Sequence, residues 1–204
     1  MLLYPTYFPP IAHYVALVKV KKVVFEVEDN YQKQTYRTRC YIYGANGRQL
    51  LNIPVKHTNK SRKTKDIKID DSFSWEKQHL KAMQASYRSS PFFEYFEEDL
   101  IIFFKNTPTF LLDLNIKVHE LMMDFLQLDL PYTRTTAYEK DLKGANDYRF
   151  LANAKTNKIY GLSAYTQVFS DKFGFIENLS ILDLLFMEGT NALNYLQNQQ
   201  LENL

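Results

Sequence analysis

"MLLYPTYFPPIAHYVALVKVKKVVFEVE", residues 1–28, decides the fold class. The short apolar run at the start breaks at Pro5, as a strand end does. Pro10 then suits the first position of a helix, where its missing N–H is not needed. Ile11, Tyr14, Val15 and Val18 fall on one face of that helix. "VVFEVE", residues 23–28, reads as a second strand. Strand, helix and strand within about thirty residues have the length of a βαβ unit, which normally crosses over right-handed. The expectation is an α/β fold with a Rossmann-like βαβ start, followed by a β-hairpin, a helical section and a mixed C-terminal part.

The hairpin is read from "TYRTRCYIY" (35–43) and "QLLNIPV" (49–55), which flank the turn signal Asn46-Gly47. "KHTNKSRKTKDIK" (56–68) is rich in basic residues, has no large apolar residue before Ile67, and reads as a loop. It offers cations that could close over a phosphate, although such loops are often only hydrated. "DIKID" (66–70) has the charges that protect an edge strand. From Trp75 the period becomes helical, with Trp75, His79, Ala82 and Met83 on one face. A second helix is expected with Ser90 as cap and Pro91 at its first position. A third buries a stripe from Leu111 to Phe125 that includes Asn115, a residue suited to satisfying a buried backbone group. Beyond Pro131 the period weakens, and "YTRTTAY", "DYRFL" and "AYTQVF" read as short strands or extended loops. Ser180 with Asp183 reads as a capping box, and Gly189 ends or bends the helix it opens.

A chain of 204 residues suits one domain, with 131–204 a smaller C-terminal subdomain if the weaker period there marks a boundary. Hydrophobic residues at 46% supply a core. A net charge of +2, from 25 Lys+Arg and 23 Asp+Glu, gives no global pull toward nucleic acid, so any anion affinity must be local. Cys40 is the only cysteine, which excludes an internal disulfide and a cysteine zinc cage and fits a reducing compartment. No apolar run approaches the roughly 20 residues that cross a bilayer, and no secretory leader is visible. The expected location is the cytoplasm. No metal-ligand spacing and no nucleophile elbow is present, and no cofactor is expected.

The polar chemistry concentrates in "YQKQTYRTRC", residues 31–40. If this stretch is extended, Tyr31, Lys33, Arg37 and Arg39 share one face, with same-face neighbours about 6.5–7 Å apart. Three cations so placed are either a solvated face, paired with Glu26, Glu28 or Asp29, or a surface that holds an anion. Guanidinium forks suit phosphate or carboxylate. The loop after the first strand lacks the glycines of a phosphate-binding fingerprint. Tyr4, Tyr7 and Phe8 suggest an aromatic wall there instead, at the carboxyl edge where ligands of open α/β sheets bind. Glu26, Glu28, Asp29 and His79 are the acid–base candidates. His79 shares its face with Trp75 and Met83, a setting typical of a hydrogen-bonded core histidine.

With these residues in view, the chain resembles the WbqC-like protein family along nearly its whole length. The resemblance rests on "YFPP" (Tyr7–Pro10), "YQKQTYRTRC" (Tyr31–Cys40), Leu-x-Ile-Pro-Val (Leu51–Val55), Trp75-x3-His79, "PFFEY" (Pro91–Tyr95), Asp113-x-Asn115, "YTQVF" (Tyr165–Phe169) and "NLSILDLLF" (Asn178–Phe186). Asn30, Thr38 and Met187-Glu188 depart from the pattern, and threonine at 38 lacks an amide fork. The resemblance implies a bacterial protein of surface-polysaccharide (O-antigen-type) synthesis. It suggests a transferase with a nucleotide-sugar, phosphosugar or aminoacyl donor. Tyr7, Phe8, Tyr31, Lys33, Arg37 and Arg39 are then the expected ligand-binding residues. The other reading is a non-catalytic ligand-binding or assembly protein of the same pathway.

Overall fold

The structure, a computed structural model, describes residues 1–56, 63–140, 146–156 and 158–202. It opens with strand β1 (Leu2–Leu3), helix α1 (Ile11–Leu17) and strand β2 (Val23–Phe25). Leu2 lies opposite Val24 and Leu3 opposite Phe25 in parallel register, so the expected βαβ start is present. All seven residues of α1 are buried, His13 among them, as befits a helix that is otherwise apolar or aromatic all round. Strands β3 (Arg39–Gly44) and β4 (Gly47–Asn52) form the hairpin as a separate antiparallel pair. Its tip is Ala45-Asn46, and Gly47 takes the positive φ of +92° that a side chain would resist. Helices α2 (Trp75–Tyr87), α3 (Phe93–Lys105) and α4 (Leu111–Leu126) follow, then strand β5 (Tyr132–Arg134). Short α5 (Ser170–Phe173), α6 (Ile181–Glu188) and α7 (Ala192–Asn198) complete the chain. No helix of the described residues is long and apolar enough to cross a membrane.

The topology of the parallel sheet positions the site. β5 pairs with β2, away from β1. The chain then returns to the other side of β1, where Asp147 bridges Leu2 in parallel. Two backbone bonds fix this fourth segment: the Leu2 amide donates to the Asn146 carbonyl (2.8 Å), and the Tyr148 amide to the Leu2 carbonyl (2.9 Å). Numbered along the chain, the spatial order is third, second, first, fourth. Connections therefore run one way from β1 to β2 and the other way to residue 147. That reversal is a topological switch point, and it opens a crevice beyond the carboxyl ends of β1 and the fourth segment.

Several local expectations are corrected. Residues 31–38 are not part of the hairpin strand: Gln34 has φ +60° and a turn occupies 36–37. Ser90 does not cap α3. Its hydroxyl donates to the Tyr87 carbonyl at 2.6 Å and so closes α2, and α3 begins two residues beyond Pro91. "DIKID" forms isolated bridges, Lys68 to Phe110 and Ile69 to Val55, after a 3-10 turn at Thr64–Asp66. Residues 57–62 of the basic loop lie outside the described residues. "DYRFL" becomes the 3-10 turn Arg149–Ala152, and "AYTQVF" has no strand pairing.

The capping box is half right. Ser180 accepts from the Leu182 amide at 3.3 Å, but Asp183 turns inward and is fully buried. There it accepts from the hydroxyls of Tyr87 and Tyr165 and from the Gln167 amide. Burial pushes the Asp183 carboxyl up, while the three donors pull it down. The Tyr87 hydroxyl also accepts from the Tyr43 amide at 2.8 Å, so this one carboxylate ties α2, α6, β3 and the 165–167 loop together. Asp183→Asn keeps the shape but exchanges an acceptor oxygen for an NH2 that meets donors. It is expected to cost about 2 kcal/mol in urea unfolding. A loss below about 0.5 kcal/mol, the range of ordinary surface changes, would contradict this account.

Candidate functional site

A cavity of about 560 Å³ occupies the crevice at the switch point. Tyr4, the first residue after β1, and Arg149, two residues after the Leu2–Asp147 bridge, both line it. Five cations surround the cavity: Lys33, Arg37, Lys140, Arg149 and Lys155, against the single carboxylate of Asp147. The three lysines are exposed at the rim and have no ion-pair partner among the described residues. The two arginines are buried.

Arg37 is the largest fully buried side chain, at 1% exposure. Its Nη2 donates to Asp29 Oδ2 at 2.6 Å, and its guanidinium lies 3.8 Å from the centroid of the Tyr4 ring. Burial pushes the Asp29 carboxyl up, and Arg37 opposes that push. The backbone of Arg37 is held from α4: Asn115 Nδ2 donates to the Arg37 carbonyl (3.0 Å) and to the Pro5 carbonyl (3.2 Å). Asn115 thus locks the loop after β1 to the loop that carries Arg37, which fulfils its expected backbone role. Arg37 Nε is buried without a hydrogen-bond partner, so this guanidinium retains a donor.

Arg149 is fixed differently. Asp147 takes its Nε and Nη2, at 2.9 and 2.6 Å, while the carbonyls of Glu139 and Lys140 take Nη1 and Nη2 at 2.7 and 3.0 Å. Most of its donors are engaged, so it contributes oriented charge more than free hydrogen bonds. Asp147 is held below the usual carboxylate range by these bonds. Beneath it, Glu26 at the end of β2 accepts from the Glu28 amide (2.7 Å) and the Thr135 hydroxyl (2.9 Å), with Arg149 Nη1 at 3.8 Å. The ends of β2 and β5 are thereby joined under the cleft. The Tyr4 hydroxyl is pushed up to about 12 by burial and by Asp29, so it stays a proton donor at neutral pH.

The sequence-derived residues divide between places. Lys33 and Arg37 converge on the cleft because the Gln34 turn brings them there, not because they alternate on a strand. Arg39 belongs to the hairpin and does not line the cavity. Tyr31 packs half-buried against the core, where burial raises its hydroxyl. Tyr7 and Phe8 are wholly buried. The Tyr7 hydroxyl lies 2.8 Å from His79 Nδ1, in a cluster with Trp75 and Phe104. His79 is therefore part of the core, and burial lowers it to about 4. Glu28 is shared by Lys63 and Lys65, each at 2.6 Å, so one carboxylate offsets half the charge of these two cations of the basic loop. Burial pushes the Cys40 thiol up, as for an inert core cysteine. No group of three metal-ligating side chains occurs among the described residues. Arg149, Tyr138, Lys140 and Lys155 were not read from the sequence. One signal was available: Asp147-x-Arg149 sets two opposite charges into the aromatic stretch "DYRFL".

Comparison with known proteins adds one finding. No curated protein and no solved structure matches the chain. The model of the WbqC-like protein family matches residues 4–160, which include the described cleft residues from Tyr4 to Lys155 and stop short of the last two motif blocks. On that match over most of its length, the chain belongs to the WbqC-like protein family.

Proposed function

We propose that the cleft binds a phosphate-bearing donor of the nucleotide-sugar class, and that the chain is a transferase of bacterial surface-polysaccharide synthesis. The observation that carries the binding is the set of three rim lysines, Lys33, Lys140 and Lys155, unpaired among the described residues, around a cavity at the switch point whose floor holds the paired guanidinium groups of Arg37 and Arg149. Arg37 lends its charge to the anion from the floor, and the rim lysines meet it directly. Tyr4, Tyr138 and Phe150 offer ring faces to a base or sugar. The family resemblance supplies the pathway and the transferase reading.

A second reading, binding without turnover, is favoured by the state of the carboxylates. Asp29 and Asp147 are both committed to guanidinium groups, which leaves neither free to accept a proton. Glu26, buried behind the cavity lining with Oε2 3.8 Å from Arg149, is the most loosely paired of the three carboxylates and the candidate base of the transferase reading.

Calorimetric titration with a uridine diphosphosugar tests the binding. Saturable binding is expected to weaken about tenfold or more in Lys33→Ala/Lys155→Ala, with a shallower salt dependence and an unchanged melting temperature, since both lysines are exposed. Equal affinity in this variant would remove the cleft as the site. Chromatographic assay of donor cleavage or transfer then separates the two readings. Turnover abolished by Glu26→Gln supports the transferase, and binding without turnover supports the second reading.

A further inference from the structure

We infer that a second cavity, between α3, the end of α4 and the turn at Gly189, is a binding site for an organic ammonium ion. It measures about 370 Å³ and is lined chiefly by Phe92, Tyr95, Phe96 and Phe125, with Asp99 and Asp124. No lysine, arginine or histidine is among its lining residues. Its electrostatic character is thus opposite to that of the basic cleft.

The fold itself does not account for the exposure of Tyr95 and Phe92. α3 buries Phe93, Phe96, Leu100 and Phe104, which suffices to seat it. Yet Tyr95 is 72% exposed and Phe92 is 37% exposed, both from the "PFFEY" block. The rings form a continuous surface: Tyr95 meets Phe96 edge-on at 5.0 Å, and Phe96 meets Phe125 at 4.6 Å. Phe92 is fixed in place by Gly189, where an added Cβ would stand 2.6 Å from its ring and φ is +53°. The aromatic wall is therefore formed before any ligand arrives.

The charges select the ligand. Asp99 follows Tyr95 by four residues and shares its helical face. Asp124 sits in the last turn of α4, a turn with no basic residue. A carboxylate at this negative end of the helix dipole is unfavourable unless a cation lies beside it. Neither aspartate has an ion-pair partner among the described residues. Aromatic faces and carboxylates together attract a cation that carries carbon. Two exposed carboxylates among phenyl rings do not make a metal site, so the guest is an alkyl- or aminosubstituted organic ammonium.

The test uses the full chain, titrated with choline and with its uncharged carbon isostere 3,3-dimethylbutan-1-ol, and followed by tyrosine ring resonances and calorimetry. Choline is expected to bind saturably and about tenfold or more tighter than the isostere. Tyr95→Ala, and separately Asp99→Asn with Asp124→Asn, should each weaken choline about tenfold while leaving the melting temperature in place. Absence of saturable choline binding, equal binding of the isostere, or unchanged affinity in both variants overturns the inference. So does self-association that Tyr95→Ala abolishes, because it assigns the groove to a second copy of the chain.

Discussion

Arg37→Ala is expected to destabilise the protein by about 3–5 kcal/mol at neutral pH and to abolish donor binding. The stability loss comes from what remains. Asp29 stays buried, with its side chain 2% exposed, and loses the guanidinium at 2.6 Å. Removing one partner of such a pair costs far more than the pair contributes, since the desolvation of the survivor is no longer offset. Burial already pushes the Asp29 carboxyl up, and without Arg37 it rises further. The variant can therefore relieve its strain by binding a proton. Compared with wild type at the same pH, the deficit should shrink as pH falls through the raised Asp29 value. Arg37→Met with Asp29→Leu should recover much of the stability but none of the binding. This pair of variants separates the structural duty of Arg37 from its part in binding the anion. If Arg37→Ala is as stable as wild type across pH, the buried pair is not as the structure describes it.

Arg37 also marks how far the sequence is legible. The βαβ start could be read because it depends on local signals: prolines at element ends, a helical apolar face and a β-branched run. The hairpin likewise announced itself through its turn. The concentration of charge around Lys33 and Arg37 is legible in the sequence, but the turn that brings both to one cavity is not. The spacing suggests alternation along a strand, and the left-handed Gln34 breaks it. No local pattern fixes a single positive φ at a glutamine. Arg149 was missed for another reason: its role follows from the return of residue 147 to β1, a long-range pairing of one residue. Tyr7, Phe8 and His79 show the converse. Aromatic and imidazole rings near a strand end look like a binding wall, yet mutual packing buries them in the core. Asp183 satisfied the spacing of a capping box, but three donors from distant segments outcompete one backbone amide.

The same burial of imidazole makes the protein acid-labile well above the carboxylate range. Three of its four histidines, His13, His79 and His119, are buried. Burial lowers them from 6.5 to about 3, about 4 and about 4, respectively. His119 further lowers His13. Each is neutral in the fold, and each takes up a proton near 6.5 once the chain unfolds. Below that value the unfolded state carries more protons than the folded one. Stability is therefore full above pH 6.5 and falls with falling pH until the folded values are reached. With three groups acting together, the slope approaches about 4 kcal/mol per pH unit near pH 5. A domain of about 5–15 kcal/mol stability is mostly spent within two to three units. Asp29 and Asp183 act in the opposite sense: each raised carboxyl takes up its proton more readily in the fold, and between that raised value and 3.8 this offsets part of the histidine slope. Urea unfolding at pH 7.5, 6.5, 5.5 and 5 should show a flat upper limb and then a steep decline. His119→Phe, which keeps the ring contacts to Phe25 and Tyr132, should lessen the slope by about one third. A slope left unchanged by His119→Phe would require that imidazole to protonate in place, which its burial opposes.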